Sequence, residues 1–155
     1  QMCIRDRAGL ANERFFNATL QKKEKAGEPF ALFYLDLDSF KPVNDTYGHD
    51  VGDQLLKEVA SRLRGCVRES DAVFRIGGDE FALIVNGAVT EGFCKSRVEK
   101  IKAAIREPYR LKDAEVQVGT SCGCAVYPCD SDDVRAIRIL ADHRMYEDKQ
   151  RSGRS

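Results

Sequence analysis

Residues 72–85 read AVFRIGGDEFALIV, an apolar, strand-forming run that two glycines and two carboxylates interrupt. A Gly-Gly step can take the positive φ values of a tight hairpin turn, so Gly77 and Gly78 predict that the chain folds back there. Asp79 and Glu80 then stand at the tip of a hairpin whose strands are buried. Negative charge held there is costly unless a cation or a partner compensates it, so this turn predicts a metal site.

The composition is that of one globular domain with balanced charge. The chain has 155 residues, of which 25 are basic and 25 acidic, and a domain of this size buries roughly 70% of the surface its unfolded chain exposes. Zero net charge provides no general attraction to nucleic acid or to a membrane surface. The longest apolar runs, residues 30–35 and 81–85, are far shorter than the roughly 20 residues of a membrane-spanning helix. We expect no nucleic-acid partner and no direct membrane insertion.

The six cysteines are scattered, without CxxC pairs or zinc-site spacing. Buried free thiols are favoured over disulfides, which is typical of a reducing compartment. With no secretory signal visible, we expect a cytoplasmic domain, whose parent protein could still be tethered to a membrane.

The spacing of apolar residues predicts an α+β fold. The predicted elements are a helix over 12–25, a strand over 30–38, a helix over 51–63 after a loop through Gly48, the hairpin, a helix between Thr90 and Pro108, a strand region over 114–127 and a last helix after Asp133. This order predicts a central, mainly antiparallel sheet flanked by helices, with the strand order left open.

Carboxylates also close the first predicted strand. Asp36 ends that strand, so if it neighbours the hairpin, its carboxylate converges with Asp79 and Glu80 on an oxygen-rich site suited to Mg²⁺ or Mn²⁺. A nucleotide is the natural ligand, because Mg²⁺ completes its shell with water and phosphate oxygens. Taken singly, acids at strand ends are more often solvated turn residues, which is the favoured interpretation of Asp38 and Asp45.

Motif residues extend through most of the chain. They are residues 36–41 (DLDSFK), Asn44-Asp45, Gly48-His49, Gly52-Asp53, Arg75, residues 77–81 (GGDEF), residues 121–125 (SCGCA), Tyr127-Pro128, Ala141-Asp142, Met145-Tyr146 and Lys149. With this series the chain resembles a GGDEF domain, the catalytic module of bacterial diguanylate cyclases. The resemblance implies the fold of nucleotidyl cyclases and of the polymerase palm. It also implies the condensation of two GTP into cyclic di-GMP with release of two pyrophosphates.

By this resemblance, the metal is held by Asp36, the backbone carbonyl of Leu37, Asp79 and Glu80. Asp79 occupies the family's proton-acceptor position. Because a metal-bound carboxylate is a poor base, we expect Asp79 to act mainly by organising the metal and the attacking hydroxyl. Lys41 matches the residue that stabilises phosphate charge, and together with Asp79 and Glu80 it completes the predicted catalytic set.

The resemblance also assigns the nucleotide contacts. The Phe40-Lys41 backbone and Lys149 contact phosphate, Gly77 and Gly78 leave room for the nucleotide, Asn44 and Asp53 read guanine, and His49 is a further substrate-binding residue. A carboxylate at 53 suits guanine, because guanine presents two neighbouring donors. Two structural alternatives stay open. Asp53 could cap the helix that follows it, and His49, without the surrounding motif, would be an ordinary surface residue.

Arg68 and Asp71 fit the RxxD pattern of the family's product-inhibition site. Arg68 would hold a phosphate or guanine edge of cyclic di-GMP, and Asp71 could accept from guanine. RxxD alone is a weak signal, and its fixed distance from Gly77 is what strengthens it.

The ends depart from the family pattern. Residues 1–8 form an atypical leader, in which Arg5 stands where the family has an aspartate, and the GGDEF domain is predicted over 9–155. At the other end, the family's arginine after Lys149 would fall on Gly153, with Arg154 one position late.

Two functions follow as hypotheses. The first is an active, Mg²⁺-dependent (or Mn²⁺-dependent) diguanylate cyclase that works as a homodimer, because each chain holds one GTP. We expect an upstream sensor domain, outside this chain, to control it. The alternative is a regulatory module that binds GTP or cyclic di-GMP without chemistry.

Overall fold

The computed structural model describes residues 10–87, 89–112 and 114–152, with side chains from residue 13. Its elements are α1 (Leu10–Ala26), β1 (Phe30–Asp38), α2 (Phe40–Tyr47), α3 (His49–Gly65), β2 (Ala72–Arg75), β3 (Glu80–Asn86), α4 (Glu91–Arg106), β4 (Tyr109–Leu111), β5 (Ala114–Val116), β6 (Gly119–Tyr127) and α5 (Val134–Arg151). The prediction of an atypical leader over residues 1–8 and the shifted Arg154 lie outside the described residues.

Four strands form one antiparallel sheet in the order β2-β3-β1-β6. The central strand β1 pairs with β3 so that Asp36 lies opposite Glu80, and with β6 so that Asp36 lies opposite Ser121. The α+β fold with a mainly antiparallel sheet is therefore confirmed. Strands β4 and β5 form a separate two-stranded hairpin.

Each face of the sheet buries its own apolar cluster. Alternate residues of β1 point to opposite faces, so Phe33 and Leu35 join a cluster with α3 and α4, while Leu32 and Tyr34 join one with α1 and α5. β1 is accordingly buried along nearly its whole length, as the continuous apolar run predicts. The side chain of Thr90 accepts a hydrogen bond from the Phe93 N–H, which confirms it as the cap of α4.

The glycines of the GGDEF motif do not adopt positive φ, so that prediction is wrong. Among the described residues, positive φ occurs at Gly27, Gly48, Gly87 and Ser39. The connection between β2 and β3 covers residues 76–79, and Ile76 N–H and Gly77 N–H both donate to Glu80 O. The chain does fold back here, but through a four-residue loop, which does not require the positive φ angles of a tighter hairpin turn.

The region expected to be a loop before the second helix is itself helical. It contains α2, and α3 begins at His49 after Gly48, which occupies the N-cap position. Asp53 therefore lies one turn inside α3, and its interpretation as a helix cap is wrong. The signal for α2 was weak because the helix has 8 residues, which is short for a periodic pattern. The strand region over 114–127 is also divided, into β5 and β6.

The cysteines outside residues 1–9 are free thiols, as predicted. Cys66, Cys94, Cys122 and Cys124 are also buried, as predicted, whereas Cys129 is exposed, so the prediction of burial is wrong for that residue. No helix in the described ranges combines the length and apolar character needed to cross a membrane.

Helix α5 packs unusually close to β6 at Gly123. A Cβ added to Gly123 would overlap the Ala141 carbonyl oxygen and the Met145 nitrogen, both backbone atoms of α5. Backbone atoms in the middle of a helix cannot move singly, so any side chain at 123 must push α5 away from the sheet.

We expect Gly123→Ala to lower the free energy of unfolding by about 2–3 kcal/mol, in the range of overpacked cores. Denaturant unfolding of the purified domain measures this. Gly65→Ala is the matched control, because a Cβ there meets nothing within 4 Å and alanine favours a helix. A Gly123→Ala protein as stable as the Gly65→Ala protein would contradict the close approach.

Candidate active site

The β1–β3 pair brings together the carboxylates that were predicted to converge. Asp36 is the register partner of Glu80, and Asp79 directly precedes β3. The Leu37 N–H donates to the Asp79 carbonyl oxygen at 3.0 Å, which joins the end of β1 to the turn. The predicted convergence of Asp36, Asp79 and Glu80 therefore occurs at one end of the sheet.

These carboxylates oppose one another's ionisation. Burial raises the pKa of Asp79, and the negative charge of Asp36 raises it further. The pKa of Glu80 is raised in the same way, by burial and then by Asp36 and Asp79. The Oδ1 atom of Asp36 is buried and has no hydrogen-bond partner among the described residues. The cluster thus holds more negative charge than its neighbours compensate.

Lys149 of α5 supplies part of the missing positive charge. Its Nζ lies 2.8 Å from Asp36 Oδ2, in an ion pair that is mostly buried. Burial lowers the pKa of Lys149, but the hydrogen bond and charge of Asp36, together with Asp38 and Asp79, outweigh it and leave the pKa above its usual value. The lysine predicted to contact phosphate therefore lies beside the carboxylates.

Asp38 is not a solvated turn residue, so the interpretation favoured for it is wrong. It is the last residue of β1, is 1% exposed, and accepts a hydrogen bond from Ser121 Oγ at 3.0 Å. Asp45, on α2, is exposed.

The residues at this end of the sheet fit a divalent cation bound by few protein ligands. Within the described residues, no three His, Cys, Asp or Glu side chains are arranged as a ready metal cage. Mg²⁺ does not require one, since it is typically held by one or two carboxylates and takes its remaining ligands from water and phosphate. Such a cation would give the buried Oδ1 of Asp36 the partner that it lacks among residues 10–87, 89–112 and 114–152. It would also offset the repulsion that raises the pKa values of Asp79 and Glu80.

The motif turn is held in shape by Arg75. Its Nε donates to Gly77 O at 3.1 Å, and its Nη2 donates to Gly78 O at 3.0 Å. A Cβ on Gly77 would lie 2.9 Å from Glu80 Oε1, whereas Gly78 has open space beside it. A side chain at 77 would therefore displace the Glu80 carboxylate from its present position. The sequence showed Arg75 as part of the motif series, but nothing in its spacing indicated this bracing contact.

Helix α2 places two predicted phosphate contacts, Phe40 and Lys41, at the end of the strand that carries Asp36. α2 begins at Phe40, directly after β1, and no side chain caps its first N–H groups. Lys41 lies exposed in that first turn. Uncapped N–H groups at a helix start favour an anionic ligand.

The two residues predicted to read guanine lie on neighbouring helices, Asn44 on α2 and Asp53 on α3. A Cβ on Gly52, which directly precedes Asp53, would overlap Asn44 Oδ1, so the Asn44 side chain packs against α3 there. That Asn44 oxygen is buried and has no hydrogen-bond partner in the described part of the chain. His49 and Asp53 are exposed and, four residues apart in α3, share a face.

Arg68 and Asp71 lie at a separate cavity of about 470 Å³, which Phe93 and Arg97 also line. Asp71 is 1% exposed, and its carboxylate accepts from the Asn86 N–H at 2.9 Å and the Arg68 N–H at 2.9 Å. It therefore shapes the loop, while the Arg68 side chain is 66% exposed. Sequence reasoning missed Arg97, because it is one charged residue among several on α4.

The comparisons with known proteins agree on one family. The family model described as "Diguanylate cyclase, GGDEF domain" matches residues 6–155. The chain is 40% identical over 146 residues to the bifunctional diguanylate cyclase/cyclic di-GMP phosphodiesterase MucR of Pseudomonas aeruginosa, covering 93% of this chain and 21% of MucR. It is 35% identical over 149 residues to the diguanylate cyclase DosC of Escherichia coli, covering 92% of this chain and 32% of DosC. It thus spans about a fifth to a third of these relatives.

Solved structures show the same relationship. The crystal structure of the GGDEF domain of TpbB from Pseudomonas aeruginosa superposes with a TM-score of 0.80 at 35% identity, covering 91% of this chain and 90% of that one. The GGDEF domain of DgcB from Caulobacter crescentus, solved in complex with c-di-GMP, has a TM-score of 0.77 at 27% identity, covering 92% and 86%. The fold is the palm-like fold of these domains, and the chain belongs to the GGDEF domain family.

Proposed function

We propose that this chain is a diguanylate cyclase that condenses two GTP into cyclic di-GMP and releases two pyrophosphates. The observation that carries the proposal is the convergence of Asp36, Asp79 and Glu80 around a buried Asp36 oxygen that no described residue donates to. Each 3′-hydroxyl attacks the α-phosphorus of the other GTP. A bond forms between the 3′-oxygen and the α-phosphorus, the bond from the α-phosphorus to the bridging oxygen breaks as pyrophosphate leaves, and the hydroxyl proton passes to solvent.

Asp36, the Leu37 carbonyl, Asp79 and Glu80 are the residues we propose to hold Mg²⁺ or Mn²⁺. When bound, the cation lowers the pKa of the attacking hydroxyl and neutralises phosphoryl charge. The turn that carries Asp79 is fixed by Arg75 and by the Leu37 N–H, so this carboxylate is preorganised. We assign Asp79 the task of orienting the hydroxyl, in agreement with its position in the motif.

Two lysines and a helix start would receive the phosphates. Lys149 already lies beside the carboxylates, 2.8 Å from Asp36, and would exchange that partner for a phosphate oxygen. Lys41 and the uncapped N–H groups at Phe40 lie at the end of β1. Charge-assisted hydrogen bonds of this kind are stronger than neutral ones.

Guanine would be read between α2 and α3. The buried Asn44 Oδ1 receives no hydrogen bond from any residue that the structure describes, and the exposed Asp53 carboxylate can accept from both the N1–H and the exocyclic amine of guanine. Adenine lacks that pair of donors, so this arrangement favours GTP. We place His49, on the same face of α3 as Asp53, at the rim of this site.

One chain supplies one such site, so we propose that two chains meet face to face as a homodimer. Cyclic di-GMP, the ligand in the DgcB complex, is also proposed as an inhibitor that binds the cavity beside Arg68 and Asp71. The size of that cavity and the exposed guanidinium of Arg68 support this.

Asp79→Ala is expected to abolish cyclic di-GMP formation from GTP and Mg²⁺, a loss of at least about a thousandfold for a central electrostatic group. The test uses the chain dimerised by a fused coiled coil, with pyrophosphate and cyclic di-GMP both quantified. Asp132→Ala, which removes an exposed carboxylate before α5, is the matched control and should keep full activity.

The rate per enzyme should also fall when the unfused chain is diluted, because two sites must meet. Activity that stays linear down to dilute monomer would contradict the proposed mechanism. Binding of GTP without release of pyrophosphate would favour the regulatory module instead.

Asp79→Asn should raise the unfolding midpoint of the metal-free protein at pH 7. The folded-state pKa of Asp79 is raised by burial and by Asp36, so its ionised form destabilises the fold above its unfolded pKa of about 3.9. The gain should therefore shrink as the pH falls below the raised folded-state pKa and disappear below about 3.9, where the carboxyl becomes protonated in the unfolded state as well. Thermal unfolding in the presence of a chelator measures the difference in midpoint between the two proteins at each pH.

Added Mg²⁺ should stabilise the wild type more than Asp79→Asn. An equal increase in the unfolding midpoint of both proteins would argue against a cation at this site.

Arg68→Ala should weaken inhibition by added cyclic di-GMP about tenfold or more, because a charge-assisted contact is lost. Initial rates of the dimerised chain against product concentration measure this. Lys95→Ala removes an exposed cation on α4 that does not line this cavity and should leave inhibition unchanged. Equal inhibition of the Arg68→Ala and wild-type chains would remove Arg68 from the inhibitory site.

A further inference from the structure

The buried face of α5 ends on a carboxylate. Its buried residues are Val134, Ile137, Ala141, Met145 and Asp148. They follow helical spacing of three or four residues, so Asp148 occupies the place where the pattern calls for an apolar side chain. It is 7% exposed. A carboxylate at such a position needs specific partners to offset the loss of water.

Asp148 has those partners on two other elements. Lys102 Nζ, from α4, donates to both of its oxygens, at 2.9 and 2.8 Å. The Cys122 N–H of β6 donates to Oδ2 at 3.0 Å. Burial raises the pKa of Asp148, but these contacts outweigh burial and leave the pKa below its usual value. One side chain therefore joins α4, β6 and the last turn of α5.

Lys149 directly follows Asp148 in α5. Successive helix residues point about 100° apart, so when Asp148 faces α4 and β6, Lys149 turns towards β1 and reaches Asp36. Cys122, which binds Asp148, and Asp36, which binds Lys149, also lie close in the sheet. Cys122 is the register partner of Leu35, and Ser121 is that of Asp36.

The contacts earlier in α5 do not reach this turn. The close approach at Gly123 fixes the helix at Ala141 and Met145, and Asp148 is the buried residue that follows Met145. The direction of the Lys149 side chain therefore depends on whether the final turn is held against α4.

We propose that Asp148, held by Lys102 and the Cys122 amide, is a positioning residue that sets the Lys149 ammonium at the carboxylate site and so raises affinity for GTP phosphates. The nucleotide part rests on the proposed function. The placement of Lys149 by Asp148 does not depend on which ligand the site binds.

A double-mutant cycle separates positioning from general stability. Equilibrium binding of a fluorescent GTP analogue with Mg²⁺ is measured at dilute, monomeric concentration. We expect Asp148→Ala and Lys149→Met each to weaken binding about tenfold, the cost of one charge-assisted contact. The double variant should bind no more than about twofold more weakly than Lys149→Met, because both changes remove the same contact. Additive losses, about a hundredfold together, would overturn the proposal.

A nucleotide-free measurement decides the positioning step independently. In protein labelled with ¹³C-lysine, the Lys149 side-chain resonance is assigned by its loss in Lys149→Met. It should shift in Asp148→Ala and stay in place in Glu147→Ala, which removes an exposed carboxylate from the same turn. An unmoved Lys149 resonance in Asp148→Ala would overturn the proposal. If the wild type fails to bind the nucleotide, the proposed function fails, while this resonance still reports on positioning.

If Asp148→Ala does not fold, Asp148→Asn replaces it in both measurements. The amide keeps an acceptor for the Cys122 N–H and loses the ion pair with Lys102. A shifted Lys149 resonance and non-additive binding are again expected, and an unmoved resonance or additive binding would again overturn the proposal.

Discussion

The register of β1 between β3 and β6 is the constraint on which the site depends. It sets Asp36 opposite Glu80 and Ser121, and it lets the Leu37 N–H bond to the Asp79 carbonyl. A slip of one residue would turn the side chains of β1 to the other face. Because both faces of β1 are buried by apolar side chains, such a slip would be strongly unfavourable. Core packing thereby forces like charges together.

Carboxylates held together in this way destabilise the folded chain, and the surrounding residues limit the cost. Lys149 forms an ion pair with one oxygen of Asp36, and the Ser121 hydroxyl donates a hydrogen bond to Asp38. The compensation is incomplete, as the raised pKa values of Asp79 and Glu80 show. A domain is stabilised by only about 5–15 kcal/mol, so a site that retains uncompensated charge is consistent with function taking precedence over stability there. A bound cation and phosphates would complete the compensation.

The strands and the longer helices could be predicted from the sequence because their signals are local: apolar runs, helical spacing and the Thr90 cap. The convergence of Asp36 with Asp79 was also accessible, since the motif turn and the end of a buried strand each carry acids. Other features depend on distant contacts. The backbone angles of Gly77 follow from a longer loop braced by Arg75, and the burial of Asp38 depends on β6. Nothing in the local sequence distinguishes Asp148 from the other charged residues of α5, because its partners Lys102 and Cys122 lie 46 and 26 residues away.

Helix α5 both covers the β6 edge of the sheet and carries Lys149 to the carboxylate site. β6 is an edge strand of the four-stranded sheet, and edge strands expose backbone groups that need partners. Along β6 these partners are side chains: Asp148 accepts from Cys122 N–H, Arg144 donates to Cys124 O, and Asp130 accepts from Val126 N–H. Two of the three belong to α5, the helix that also carries Lys149. The contacts that cover the sheet edge therefore place a cation at the carboxylate site, so a change that loosens the edge also alters the site.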